Sequence, residues 1–408
     1  MKRKVNLLAG IYIFLVYLAL ATERQGIYNV QYMSKYYIGI IICLILSVCL
    51  LIKRSNIIVI NKKQLYVAKI MFLPTLFAFI YTLFVNALKP VPYNGFLMRS
   101  FGLVAYCLLA VIQAYIIYSY FKENALKYTF IAVTLSYLTS IIVAFREGGI
   151  SQFVNMITNS SYNGSVLEMH EVAPIVSIFV FYYIYLVYFK KINRRKGILN
   201  LIICLVIILL SMKRIVILTC AIVIFLFFIL CKKNKNLLKW MALFSILIIT
   251  VGYIYIYIIK SGYFYAFLER YNINAMARSE LWQGISEQYD FSIFYSGRGL
   301  GFVSIWMDNN WQYLNINGLT QSTGLHNDLL KFYIDLGFFG NLLFLFNLLY
   351  MNAKRISKKI SINASLLYFT LISLQILTWF TDVVSLYHNF QWIFYLIVFS
   401  LLSQLKEK

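Results

Sequence analysis

The segment STGLHNDLLKFYIDLGFFG, residues 322–340, sets a His, two Asp and a Lys within ten residues, where a polar stretch gives way to an apolar run. Asn327 and Asp328 suit a helix start. Asp328, Lys331 and Asp335 then fall at i, i+3 and i+7, on one helical face. Charges in the first turns of a membrane span are costly against lipid, so this face must be wet or paired and should look into a cavity or the bundle. His326 immediately precedes the helix, where the positive end of the dipole favours neutral imidazole, the form able to accept a proton. The other use of such a His is a single hydrogen bond at the membrane interface. His170 and His388, the only other histidines, lack a comparable charged face.

Arginines supply the complementary chemistry. In ILLSMKRIVIL a turn of a few residues joins two apolar runs and carries Lys213 and Arg214. Arg270, Arg278 and Arg298 lie in a later polar stretch. A guanidinium keeps its charge and pairs bidentately with phosphate oxygens, so these groups suit an anionic ligand such as a diphosphate. Snorkelling of a helix-end cation is the alternative use of Arg214. Within NAMARSELWQGISEQY, Arg278 shares a three-four spacing with Leu281, Trp282, Ile285 and Tyr289, one face of an amphipathic helix. The SGRGLG segment at 296–301 could add backbone donors as an anion nest.

The elements that must hold these residues are membrane spans. Of the 408 residues 62% are apolar, 18% aromatic and only 12% charged, which places the chain outside the soluble globular class. Apolar runs close to the ~20 residues that cross a bilayer recur along the whole sequence. They fall near 5–21, 36–52, 65–88, 96–121, 126–145, 171–189, 197–211, 215–231, 237–259, 329–350, 364–381 and 390–405. The first ends in ALA like a signal peptide and is read as a retained span. The fold class expected is all-α: one polytopic domain over 1–408 with about twelve transmembrane helices. A long outer loop at 260–328 separates the ninth from the tenth, and a shorter one covers 146–170.

The net charge of +23 could suggest nucleic acid, but its distribution points to a bilayer. Alternate loops, beginning with Lys2, Arg3 and Lys4, collect 24 of the 37 basic residues, as the positive-inside rule requires of cytoplasmic loops. The acidic residues go the other way, with only Glu123 and Glu407 on that side. Both termini are therefore expected in the cytoplasm, and the long loop outside. A Lys-Arg pair in the 211–214 turn is then unexpected. Cys43, Cys49, Cys107, Cys204, Cys220 and Cys231 all lie in spans without metal-ligand spacing and read as small apolar residues. Asp-x-Asp, Walker A, Gly-x-Ser-x-Gly and His-Glu-x-x-His signatures do not occur.

The combination resembles the bacterial oligosaccharide-repeat-unit polymerases of O-antigen and capsule synthesis and the related O-antigen ligases. The carriers are the many spans, the one large late loop, SMKR, ARSELW, GRGLGF and HNDLLKFYIDLGFFG. The resemblance implies a metal-independent, C-type glycosyltransferase-like enzyme without a cofactor, in the bacterial cytoplasmic (inner) membrane, its active site extracytoplasmic. The implied donor is a sugar chain on a polyprenyl diphosphate. His326 would activate the acceptor hydroxyl, and Arg214 and Arg278 would hold the diphosphate with Arg298 as a further contact. Asp328, Asp335 and Lys331 would support them. A flippase and a chain-length regulator are the implied protein partners, with the bilayer and the lipid-linked oligosaccharide; nucleic acid is not one.

An O-antigen ligase uses the same donor and is the nearest alternative. A flippase for lipid-linked oligosaccharide is the alternative from another class, but it predicts matched halves and short even loops. Every role above depends on sidedness. A cysteine introduced between residues 260 and 325 is expected to react with a membrane-impermeant maleimide added from outside. Reaction from the cytoplasmic side alone would remove the site.

Overall fold

The computed structural model describes residues 2–21, 34–52, 62–158, 171–211, 213–233, 236–271, 278–314 and 324–404. His170 lies outside the described residues, as do Met212, the inner-loop cations Lys53, Arg54, Lys235, Lys406 and Lys408, and the acidic Glu407. So do parts of the two expected long loops. Among the described residues the chain is helical and contains no strand. Nine helices come first: α1 (Lys2–Ala21), α2 (Ser34–Ile52), α3 (Lys62–Leu88), α4 (Phe96–Phe121), α5 (Asn124–Thr158), α6 (Val172–Tyr188), α7 (Arg194–Leu210), α8 (Arg214–Lys232) and α9 (Leu237–Lys260). The polar stretch that follows forms α10 (Tyr263–Arg270), α11 (Arg278–Gly284) and α12 (Phe302–Asn310). The chain then returns to the bundle through α13 (Asp328–Phe346), α14 (Asn352–Lys359), α15 (Ile362–Thr378) and α16 (His388–Ser400).

Among the described residues, each of the twelve apolar runs falls on a helix, and seven helices are long and apolar enough to cross a membrane by length and composition. Three more, at Leu7–Ala21, Val172–Tyr188 and Ile362–Thr378, are apolar but shorter. The runs at 197–211 and 390–405 sit on α7 and α16, which belong to neither group. Helices α6, α15 and α16 are apolar around nearly their whole circumference and are buried accordingly. The surrounding helices turn residues such as Leu44, Phe84, Phe225 and Ile246 outward, the surface that suits contact with lipid chains.

Helix α13 is broken in its middle. Gly337 has φ 70° and ψ −175°, so the backbone leaves the helix there and re-enters it. The freed carbonyls and amides are taken up by the loop. Arg298 N donates to Ile334 O at 3.0 Å, Gly299 N to Asp335 O at 2.6 Å, and Phe338 N to Tyr295 O at 2.8 Å. Tyr295 Oη donates to Ile334 O and Tyr253 Oη to Phe338 O, at 2.9 and 2.6 Å. The approach is so close that a Cβ on Gly337 would lie 2.3 Å from the Ser296 carbonyl carbon, and one on Gly297 2.4 Å from Gly337 N. Glycine is needed at both positions for the contact as well as for the positive φ.

The expected α11 helix is shorter than its apolar spacing suggested. It stops at Gly284, where a side chain would run into Leu314, and a 3₁₀ turn at Ser286–Gln288 leads to an extended Tyr289. Leu281, Trp282, Ile285 and Tyr289 are nevertheless all buried, so the apolar face survives the change of backbone.

Gly337→Ala should lower the stability of the detergent-purified protein by about 3 kcal/mol or more, from the positive φ and the backbone clash. Gly10→Ala, in an exposed helical site with nothing within 4 Å, should be neutral or slightly stabilising. Thermal melts of the two variants check this. Equal melting temperatures would show that the loop does not press on the break.

Candidate active site

The site is built around the connection between α15 and α16, residues 379–387. Asn327 caps α13, its Oδ1 accepting from Leu330 N at 2.9 Å, as the sequence suggested. The next two amides are donated across the bundle: Asp328 N to Asp382 O at 3.1 Å and Leu329 N to Trp379 O at 3.2 Å. Ser385 N returns a bond to Asp328 Oδ2 at 2.7 Å. The start of α13 is therefore clipped to the connection at three points, and His326 sits two residues before the clip.

His326 is half-buried and has φ 51°, a left-handed conformation uncommon outside glycine. Its neighbours fix it from both sides. Leu325 O accepts the indole N–H of Trp282 at 2.8 Å, and Asn327 O accepts Lys331 N at 3.0 Å. A strained backbone held by this many bonds is the kind found where a side chain must be aimed.

The 211–214 turn reaches the same connection through Lys213. Its ammonium is 2.5 Å from Asp382 Oδ2 and stands over the Tyr387 ring at 5.3 Å. Asp382 Oδ1 accepts from Val383 N at 2.8 Å and from Tyr387 Oη at 3.0 Å. Burial alone would push the Asp382 carboxyl up, but the Lys213 charge and these donors outweigh it and hold the group below the usual carboxylate range. The unexpected Lys-Arg pair thus divides: Lys213 is a buried partner of Asp382, while Arg214 next to it is exposed. Arg278 lies within electrostatic reach of Tyr255, whose hydroxyl donates to Phe380 O at 2.9 Å. The neighbourhoods of His326, Arg214 and Arg278 are accordingly joined through one short segment.

Arg298 is placed differently. It is exposed, its Nε donates to Gln288 O at 3.2 Å, and its guanidinium covers the Phe302 ring at 5.7 Å. The neighbouring glycine-rich amides do not face outward as a nest. Gly301 N and Val303 N donate to the Asp335 carboxylate at 2.8 and 3.0 Å, and Leu300 N donates to Thr82 Oγ1 at 2.7 Å. Asp335 is thus the cap of α12 and the anchor of the loop. Asp328, Lys331 and Asp335 are all buried, as their shared face required.

Beside this face lies a cavity of about 690 Å³ between α3, α4, α12, α13, α15 and α16. It extends from Arg99 and Asp308, paired at 2.9 Å, to Asn352 and Tyr368 deep in the bundle. His388 opens on it, buried and bonded through Nε2 to Gln113 Oε1 at 2.9 Å. Among the described residues no group of three or more His, Cys, Asp or Glu is placed to hold a metal ion.

Residues 199–345 match the family model described as O-antigen ligase. Over this part, somewhat more than a third of its length, the chain is similar to that family. No curated protein matches the chain. The matched part begins in α7 and ends within α13, so it contains Arg214, Arg278, Arg298, His326, Asp328, Lys331 and Asp335. It stops short of Asp382. The Lys213–Asp382 pair and His388 are what the sequence reading missed: each partner is remote in sequence, and a lone outer Asp or His carries no spacing to mark it. The one available signal was the cation pair in the 211–214 turn.

Breaking the buried pair by Asp382→Asn or Lys213→Ala should cost about 3–5 kcal/mol, because the remaining group is left uncompensated. Since the folded value of Asp382 is depressed, its contribution is complete above the unfolded carboxylate value of about 3.9 and fades only as pH falls through the folded value. The melting difference between wild type and Asp382→Asn should therefore stay flat from about pH 8 to pH 5. A difference that shrinks within that window would contradict the assigned pairing.

Proposed function

We propose that this protein is a polysaccharide polymerase that joins polyprenyl-diphosphate-linked oligosaccharide repeat units at the outer face of the bacterial cytoplasmic membrane. With about twelve spans and cytoplasmic termini, as the charge distribution suggests, the 260–328 loop would lie on that face. A hydroxyl of the acceptor sugar attacks the anomeric carbon of the donor, and His326 takes the hydroxyl proton. The glycosidic bond to the carrier breaks as the new one forms, and the polyprenyl diphosphate departs with the negative charge. Arg214 and Arg278 receive that charge. A positioned base contributes typically about 10² to 10⁴-fold, and fixed cations where charge develops add a comparable or larger factor. The scheme needs neither metal nor cofactor.

The observation that carries this reading is that the start of α13 and the Lys213–Arg214 pair, both inside the family-matched segment, meet at the 379–387 connection, while the Arg278 helix is tied beside His326 through the Trp282–Leu325 bond. The strained backbone at His326 supports its role. The description of the family model favours a second reading, an O-antigen ligase with the same donor, His and Arg groups but a lipid-core acceptor.

His326→Asn keeps a residue that tolerates positive φ but removes the base, and should reduce turnover by about 10²-fold or more with normal membrane insertion. Cells should then show single repeat units where wild type shows a ladder. Long chains retained on the carrier would identify the ligase. Arg214→Ala and Arg278→Ala should each cost turnover sharply, with poor rescue by Lys, which lacks the bidentate fork. A full ladder from His326→Asn at wild-type protein level would sink the mechanism.

A further inference from the structure

The 690 Å³ cavity has no task in the scheme above, and the two arginines given to the donor diphosphate, Arg214 and Arg278, do not line it. Its wall carries a row of three rings contributed by three helices. Tyr106 of α4 stacks on Tyr36 of α2 with centroids 4.9 Å apart and planes inclined by 26°, and Tyr36 meets the His388 imidazole of α16, again at 4.9 Å. The row is fixed from behind. His388 is bonded to Gln113, and α2 packs so closely on that pair that a Cβ on Gly39 would lie 2.7 Å from Gln113 Oε1. Tyr106, 41% exposed, ends the row and is the most accessible of the three.

Polar groups face the same space. Gln391 donates through Nε2 to Val384 O at 3.2 Å, while its Oε1 and the hydroxyls of Ser304 and Tyr106 make no hydrogen bond among the described residues. Gln391 and Ser304 are half-buried and Tyr106 exposed, so these atoms are not sealed inside the protein. At the rim Arg99 and Asp308 pair, both half-exposed. Groups of this kind are costly against hydrocarbon. They suit an occupant rich in hydroxyls, and the rings offer flat apolar faces to its C–H surface. The charges on this side balance, Arg99 with Asp308 and Lys331 in the field of Asp328 and Asp335, so an ion finds no surplus of positive charge.

Gly102 is a separate sign. It lies on α4 between Arg99 and Tyr106 and lines the cavity. Glycine is less favourable than alanine inside a helix, yet φ here is not positive and a Cβ would meet nothing within 4 Å. No neighbour demands glycine at this position; a side chain would fill the open strip above it. Tyr106 is seven residues along the helix from Arg99, about 10 Å, so the strip is longer than one sugar ring.

We propose that the Tyr106–Tyr36–His388 row, with Gln391 and Ser304 beside it, is a carbohydrate-binding subsite that seats the acceptor sugar chain. The cavity reaches Lys331 and Ser385, which belong to the start of α13 and to the 379–387 connection, so a chain seated there lies next to the segment that holds His326. Its assignment as acceptor rests on the function proposed above, in which the donor is held by its diphosphate at Arg214 and Arg278. The sugar subsite itself rests on the rings, the unpaired polar groups and Gly102.

The probe is the repeat-unit oligosaccharide released by mild acid from the host's own lipid-linked pool; without a diphosphate it can only accept. Its affinity for the full-length protein in detergent is read by isothermal titration calorimetry, with farnesol as the apolar control. The oligosaccharide should bind saturably. Tyr106→Ala should weaken it by about tenfold or more and Tyr106→Phe only slightly, since stacking needs the ring. Gln391→Ala should cost several-fold. Gly102→Leu should abolish binding while keeping or raising the melting temperature, because leucine is the better helix former and meets no neighbour. In turnover with the lipid-linked unit as donor, Tyr106→Ala should raise KM for the free oligosaccharide and leave kcat nearly unchanged, a split that a merely structural role would not give.

No binding by wild type, or binding unaltered by both Tyr106→Ala and Gly102→Leu, would overturn the subsite. Farnesol binding that those two variants abolish, with oligosaccharide binding intact, would hand the cavity to the carrier chain and overturn it equally. A KM raised for the lipid-linked donor alone would overturn the acceptor assignment. A full ladder from His326→Asn would remove the polymerase mechanism while leaving the calorimetry standing, whereas absent sugar binding beside a lost His326→Asn ladder would remove the subsite alone.

Discussion

The Asp335 carboxylate, buried and holding the amides of Gly301 and Val303, is the interaction on which the rest of this architecture depends. A helix that breaks inside a bundle exposes backbone donors and acceptors that hydrocarbon cannot satisfy, so another part of the protein must reach them. Here the loop after α9 does so, pairing with Ile334, Asp335 and Phe338 around Gly337 and fixing itself through the same Asp335 side chain. Once the loop is seated, α11 lies where Trp282 can bond to Leu325, and the residue after Leu325 is His326. The position of the proposed base is thus settled by contacts that contain no catalytic group.

A second constraint acts through charge. The 379–387 connection gathers a carboxylate, an ammonium and several backbone amides in a space with little water. Oppositely charged groups interact far more strongly there than at a wet surface. Lys213 and Asp382 are satisfied by each other, which leaves Arg214 outside their pairing. The arrangement separates a buried, paired cation from an exposed neighbour on the same turn.

Much of this was legible in the sequence because it depends on local spacing. The cap at Asn327, the inward face of Asp328, Lys331 and Asp335, and the burial of Leu281, Trp282, Ile285 and Tyr289 follow from helical periodicity, which short-range sterics enforce. What escaped depends on partners far apart along the chain. The amides of GRGLG looked available for a phosphate because nothing near them in sequence shows that Asp335 has taken them. The Lys213–Asp382 pair was invisible for the same reason. Helix α11 ends at Gly284, whose bare backbone lies against Leu314, a residue thirty positions on, a contact that its own pattern does not show.

The break at Gly337 also has a mechanical meaning. It divides α13 into two rods that share a chain but not a continuous ladder of hydrogen bonds. The first rod, with Asn327, Asp328 and Lys331, is tied to the loop and to the α15–α16 connection; the second runs on through α14 as part of the bundle. The loop bonds to both rods at the break, to Ile334 and Asp335 on one side and to Phe338 on the other, so it splints the two together and holds the approach to His326 rigid against the bundle.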